Sequence, residues 1–452
     1  MFDFSVVDEN IRVCREKDSI CRGKDTICRN KENEYVQNKE KLSFKADHKK
    51  ISKSVQEITG DLLKIEDELN DIFIEREDEI RMLTLAFITS SNGFFHGPAG
   101  TGKSALVEEY SKRIKNASYF RILMGKTTEP GEIFGPVSIN DMKNDIYKIN
   151  TKNKLPEANI SFIDEVFKAN SAVLNNLLTI MNEKVFFNDT VKKVPLISLI
   201  GASNEYYEDD SLIALYDRFL LRWHIDYIKE PSNRIEMFKK YLNNRAESSE
   251  LYKNDEIKES NTIDTEDLRF LNEKVKEVRI NGKILNTYNK LLTTLLKKNV
   301  IISDRRKNES LKIIQGAALL EGRYEAEAED LEVLKYTLWS NEDDINLILE
   351  EVNKLSNPNK NKLNNMRKAF NDYKKQMEEV DENKDSPQYA FDKTMAATEI
   401  MKNINYGINT IIGILTSMNN EGKHKAKEYS EFEILSKEMQ SYGEYIKKEI
   451  TL

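Results

Sequence analysis

Apolar residues change their spacing several times along the 452-residue chain. In the first fifty positions they recur every seven. Cys14, Cys21 and Cys28 open the related segments CREKDSI, CRGKDTI and CRNKENE, and Tyr35 and Leu42 continue the row. That period aligns one narrow stripe on a helix. Lys17, Lys24 and Lys31 stand where a coiled coil would carry its second apolar row, so residues 1–55 are expected as a charged helical or disordered arm and not a self-dimerising zipper.

From about Phe73 short apolar runs alternate with stretches of helical period, the pattern of a parallel α/β sheet. Five runs are the expected strands: GFFH (Gly93 to His96), SYFRILM (Ser118 to Met124), ISFID (Ile160 to Asp164), LISLIGA (Leu196 to Ala202) and FLLRWHI (Phe219 to Ile225). Beyond Pro231 the strands are expected to stop. Residues 232–340 read as helices, among them SDRRKNESLKIIQGAALLEG, with Ser303 as its N-cap and Gly322 as its terminator. A charged helical tail runs on to Leu452, broken at Ser356 to Asn359 and at Asp385 to Gln388. The expected organisation is an arm (1–55), an α/β domain (56–230), a helical domain (231–340) and a helical C-terminal region (341–452).

Composition narrows the possibilities. Charged residues make up 32% and hydrophobic ones 39%, and the densest apolar stretch, Gly407 to Met418, is too short and too broken for the roughly 20 residues of a membrane span. The N-terminus lacks the basic start and apolar block of a signal peptide, which makes the cytoplasm the default location. A net charge of −8 argues against general nucleic-acid binding. His48, His96, His224 and His424 and the three cysteines are too scattered to suggest a metal-ligand set of the usual kind.

The chemistry lies between strand and helix. GPAGTGKS (Gly97, Pro98, Ala99, Gly100, Thr101, Gly102, Lys103, Ser104) fits G-x-x-x-x-G-K-[ST] in the context that motif requires. Its glycines let backbone N–H groups close around phosphates, Lys103 reaches the β- and γ-phosphates, and Ser104 ligates Mg²⁺. ISFIDE ends a strand in two carboxylates: Asp164 would join the Mg²⁺ shell and Glu165, projecting differently, would polarise an attacking water. Asn204 ends another strand at the edge where such sheets bind ligands, to orient the water or sense the γ-phosphate. In LYDRFLLRW, Arg218 precedes a buried-looking run, and a guanidinium is costly to bury without an anion.

This order of motifs resembles the AAA+ ATPases. Within them, GEIFGPVSI (Gly131 to Ile139), LPEANISFIDEVFKANSAVLNNLLTIMNEKVFFN (Leu155 to Asn188), GASNE and ALYDRFLLRW resemble the MoxR family, most closely its RavA branch. ISDRR (Ile302 to Arg306) and LKYTLW (Leu334 to Trp339) extend the likeness, which covers roughly residues 70 to 340. It implies an α/β fold, an AAA+ five-stranded parallel sheet core followed by an all-α lid and a helical C-terminal tail, with ATP and Mg²⁺ as cofactors. It also implies Phe73 and Ile74 against the adenine, Arg218 as an arginine finger and Arg305 as the lid's sensor-2 arginine. Arg306 is the rival for that last role, and Arg222 is expected as a structural salt-bridge residue. NEKVFFNDTVKKVP (Asn182 to Pro195) matches a hairpin inserted before the Asn204 strand.

The same resemblance implies a homo-oligomeric, hexameric ring that hydrolyses ATP and remodels or matures protein partners, typically ones with a von Willebrand factor A domain. Two other readings stand beside it: a nucleotide-controlled scaffold with little turnover, which Glu165 argues against, and a nucleic-acid motor, which the acidic charge argues against. Two features depart from the RavA pattern. No strand-rich block follows Ser340, and nothing in the family explains the heptad arm.

Overall fold

The computed structural model describes residues 53–205, 212–247, 261–356, 358–382, 387–420 and 427–451. The heptad arm, with Cys14, Cys21 and Cys28, lies outside the described residues.

Helix α1 (Val55–Ile72) opens the fold behind a capping box, in which Ser54 N donates to the Glu57 carboxylate and Glu57 N returns a bond to Ser54 Oγ. Helix α2 (Glu77–Ile88) buries almost every side chain and packs on the central sheet. Five parallel strands follow: β1 (Gly93–His96), β2 (Tyr119–Leu123), β3 (Ile160–Asp164), β4 (Ser198–Ser203) and β5 (Leu221–His224). Their order across the sheet is β2-β3-β4-β1-β5. Helices cover both faces, which is why these strands read as unbroken apolar runs. Phe94, Ile163 and Leu199 face a core shared with Val173, Leu177 and Ile180 of α4 (Ser171–Glu183). At Gly201 a Cβ would stand 2.7 Å from the Phe219 ring, so only glycine lets that ring lie against β4.

The register levels the strand ends. His96 pairs with Ser203 of β4 on one side and with His224 of β5 on the other, while Ile163 pairs with Gly201. The loops after β1, β3 and β4 therefore emerge together at the C-terminal edge.

Strand limits differ slightly from expectation. Phe219 and Leu220 precede β5 because their carbonyls accept hydrogen bonds from Arg222 and Arg306 instead of a neighbouring strand. The expected end of strands at Pro231 is corrected too. Ile263–Asp264 pairs in parallel with Ile114–Lys115, a two-residue ladder too short to leave a periodic signal. Val185–Phe187 and Val191–Lys193 form an antiparallel hairpin.

The helical domain contains α6 (Pro231–Glu247), α7 (Thr265–Val275), α8 (Gly282–Lys297) and α9 (Asp304–Leu320), linked by a 3-10 stretch (Glu329–Tyr336) to α10 (Ile345–Ser356). Ser303 caps α9 by accepting from Arg306 N, and Gly322 takes the left-handed backbone that ends it. Helix α5 (Ile213–Arg218) lies before β5.

After Ser340 every described element is helical. Helices α11 (Pro358–Glu382), α12 (Tyr389–Asn420) and α13 (Lys427–Thr451) close around their own core. Each contributes a row at sevens: Leu363, Phe370 and Met377; Ala397, Ile404, Ile411 and Met418; Phe432, Met439 and Ile446. That is coiled-coil packing.

Candidate functional site

The loop after β1 needs its glycines. A Cβ on Gly97 would stand 2.0 Å from the Ile225 carbonyl oxygen, and Gly97, Gly100 and Gly102 all have positive φ. Gly102 caps helix α3 (Lys103–Lys112) in the left-handed conformation with no side chain over the first turn. The loop's backbone amides are thus available to an anion. Lys103 is buried and folds back over the loop, its Nζ 2.6 Å from Gly97 O and 2.9 Å from Pro98 O. Burial holds its pKa below the usual lysine value, while Asp164 and Glu165 act in the opposite direction. Ser104 follows on the first helical turn.

Asp164 ends β3 and accepts a hydrogen bond from Glu165 N. Glu165 adopts φ 53 and ψ 43, an uncommon backbone for a residue with a Cβ. Lys168 Nζ stands 3.4 Å from its Oε2. Asn204 is exposed one residue beyond β4, and Gly97 N donates to Ser203 O beside it. Lys103, Ser104, Asp164, Glu165 and Asn204 therefore share one edge. An acidic pair facing a lysine, a hydroxyl and a glycine cradle fits a nucleotide with its Mg²⁺.

Phe73 and Ile74 lie half-buried between α1 and α2. Two residues on, Arg76 is a contact that sequence reasoning missed: its Nη2 donates to Asp226 O and Thr101 O, tying the Phe73 segment to the loop. Tyr227 Oη donates to Ala99 O from the other side. In sequence Arg76 is one of five charges in FIEREDEI, and no local signal set it apart. Next to it, burial pushes Glu79 up to about 8 although Arg76 Nε is 3.8 Å away.

Arg218 and Arg305 lie at the opposite, N-terminal edge. Arg218 ends α5 three residues before β5 begins, and β5 runs parallel to the strand that leads into the loop. Arg305 Nη2 donates to Asn182 Oδ1, and α4 reaches that same edge, where Lys184 Nζ bonds Ser90 Oγ just before β1. Arg305 lies beside Arg218, away from Lys103. Arg306 is buried and donates to the carbonyls of Phe219, Leu220 and Thr337, so it braces the lid. Arg222, expected as a salt-bridge residue, donates to the carbonyls of Tyr216, Phe219 and Trp339 and stacks 3.5 Å above the Tyr216 ring.

A cleft of about 710 Å³ lies between residues 136–151 and the hairpin, lined in part by Val137, Ile149 and Lys192. Asn188 clamps it with two hydrogen bonds to the Ile149 backbone. Ile139, Met142, Tyr147, Phe187 and Val191 are exposed around it.

The histidines correct an expectation. His96 and His224 are not scattered: their Nδ1 atoms stand 3.4 Å apart and both meet the carboxylate of Glu342. Burial lowers the His96 pKa and Glu342 opposes it.

Comparison with known proteins places the chain. Residues 60–273 match the family described as "MoxR domain in the MoxR-vWA-beta-propeller ternary systems", and residues 281–352 match "AAA lid domain". The chain is 39% identical over 305 residues to the uncharacterised protein MJ0079 of Methanocaldococcus jannaschii, covering 67% of this chain and 76% of that one. It is 38% identical over 298 residues to MJ0812 of the same organism, covering 66% and 76%. A crystal structure of an ATPase candidate from Cytophaga hutchinsonii superposes with a TM-score of 0.54 at 17% identity, covering 72% of this chain and 98% of that one, which speaks to the fold alone. No helix among the described residues is long and apolar enough to cross a membrane.

Proposed function

The chain belongs to the MoxR-type AAA+ ATPases, and from that premise we propose a Mg²⁺-dependent, ring-forming ATPase that remodels a protein partner. The observation that carries the ring is the separation of Arg218 from Lys103 by the length of the sheet. A finger on that edge serves the nucleotide of a neighbouring subunit, and Arg305 beside it acts on the same neighbour.

Ser104 and Asp164 would hold Mg²⁺, which supplies charge neutralisation on the phosphates. Lys103 exchanges its two loop carbonyls for phosphate oxygens. Glu165 accepts the proton of the attacking water. Asn204 orients that water, and Phe73 and Ile74 cover the base. Arg218 and Arg305 of the neighbour stabilise charge as it develops, a role worth roughly 10³–10⁵ in rate in GTPases. The partner reading rests on the matched family's description, which joins the MoxR domain to a vWA component, and on the apolar side chains around the hairpin cleft, suited to gripping a protein chain. We assign the RavA-like chaperone role, the hexamer and the cytoplasmic setting to the same reading.

The test is complementation by mixing. Lys103→Ala and Arg218→Ala are each expected to be inactive in steady-state ATPase assays, the first for lack of nucleotide binding and the second with binding intact. Co-assembled rings should regain activity, because some interfaces pair an intact Lys103 with an intact Arg218. Mixed rings that form, verified by mass, and stay inactive at every ratio would overturn the intersubunit assignment.

A further inference from the structure

We infer that His96, His224 and Glu342 form a binding site for a transition-metal dication, Zn²⁺ or a close analogue, that ties the lid to the strand leading into the phosphate loop. Their ligand atoms, two imidazole Nδ1 and one carboxylate oxygen, lie within 4.8 Å of one another. Two nitrogens bound at 2.0–2.1 Å to a tetrahedral ion stand about 3.3 Å apart. The two Nδ1 atoms are 3.4 Å apart. Glu342 Oε1 lies 2.5 Å from His96 Nδ1 and also meets His224 Nδ1. A single carboxylate oxygen thus faces both nitrogens, and retreats by about 0.8 Å when a metal at tetrahedral distances replaces the shared protons.

The frame is rigid. His96 and His224 are register partners on adjacent parallel strands, so the sheet holds their backbones side by side. Glu342 arrives from the lid on a segment pinned two residues earlier, where Tyr216 Oη donates to Ser340 O and Arg222 Nη1 donates to Trp339 O. The donor set selects the ion. Two imidazoles and a carboxylate suit zinc, cobalt or nickel, whereas Mg²⁺ and Ca²⁺ take oxygen ligands. Three protein ligands leave a fourth position for water, and the side chains of His224 and Glu342 are 30% and 38% exposed, so an ion and its water can enter. None of the three belongs to the Ser104–Asp164 set.

The experiment uses the full chain carrying Cys14→Ser, Cys21→Ser and Cys28→Ser, so that thiols in the arm cannot compete. After chelator treatment, Co²⁺ is titrated against its visible ligand-field absorption, and Zn²⁺ is then used to displace it. One Co²⁺ per chain is expected, with the absorption of a four-coordinate ion. His224→Ala and Glu342→Ala should each lose more than the roughly 10–100-fold in affinity that follows loss of a merely supporting residue. Zn²⁺ should raise the melting temperature of the parent chain and leave both variants unchanged. Glu342→Gln keeps a hydrogen-bond acceptor for the imidazoles and should fold normally while losing the metal, which preserves the test if His224→Ala fails to fold. Absence of saturable binding, or equal binding by parent and variants, would overturn the site and leave the three residues as a hydrogen-bonded clasp.

Discussion

Arg305, paired with Glu309 at 2.9 Å, lies close enough to Arg218 at the N-terminal edge of the sheet for its charge to act on that guanidinium. Burial first, and then Arg305, lowers the proton affinity of Arg218. Nη1 of Arg218 donates to Ala214 O at 2.6 Å, while its buried Nε has no hydrogen-bond partner. Asp217 and Glu309 act in the opposite direction, and an incoming anion would meet the unpartnered donor.

The adjacent arginines of α9 should separate cleanly. Arg305→Ala is expected to fold with wild-type stability and to lose ATPase activity in assembled rings. Arg306→Ala strands the carbonyls of Leu220 and Thr337 at about 1–3 kcal/mol each, since Arg222 still serves Phe219 O, so it should unfold at markedly lower denaturant. Equal stability of the two variants in urea melts would contradict the bracing role of Arg306.

Gly97→Ala tests the phosphate loop through backbone geometry. The added methyl meets the Ile225 carbonyl at 2.0 Å and the residue has φ 144, so the loop must move. Nucleotide affinity measured by fluorescent-analogue titration should fall steeply. Unchanged affinity would mean that the loop tolerates displacement and that its cradle is not the binding element.

Glu79 makes stability depend on pH. Its folded-state pKa, raised to about 8 by burial, lies above the ordinary value of 4.5. The folded state therefore holds the proton more tightly: this contribution is complete below about pH 4.5 and is lost as pH rises through about 8. Glu79→Gln should flatten the fall in stability across that window. Denaturant melts at both ends of it that keep the wild-type slope would show that Glu79 is not the group responsible.

The tail offers a packing test. Ile411→Ala removes a fully buried side chain from the three-helix core, at a cost of about 2–5 kcal/mol. The expected outcome is earlier melting of the bundle by circular dichroism, with nucleotide affinity retained. Loss of nucleotide binding in parallel would show the bundle and the sheet to be one cooperative unit.

The sheet was legible in the sequence because helices cover both its faces, so each strand is written as a run such as ISFID or GFFH. The phosphate loop and its acidic strand were legible because chemistry fixes their residue types and spacing. The bundle core was overlooked for a physical reason: Ile404–Ile411 lies in an uncharged stretch whose many apolar residues hide the seven-residue row, and Phe432–Met439 lies among charges, whereas the repeat at Cys14, Cys21 and Cys28 is nearly perfect in sequence. Arg76, Arg306 and the meeting of His96 with His224 and Glu342 depend on contacts across many residues of chain, which no local pattern records. Register decided them, since pairing His96 with His224 requires knowing that β5 lies next to β1.

Helix α12 gives the tail mechanical leverage. At 1.5 Å per residue its 32 residues extend about 48 Å. The bundle meets the lid chiefly through α10, which packs against α11. A tilt of about 10° there would carry the far end of a rod of that length through roughly 8 Å. Stiffness conferred by the three heptad seams lets the displacement arrive at the tip without being absorbed by bending.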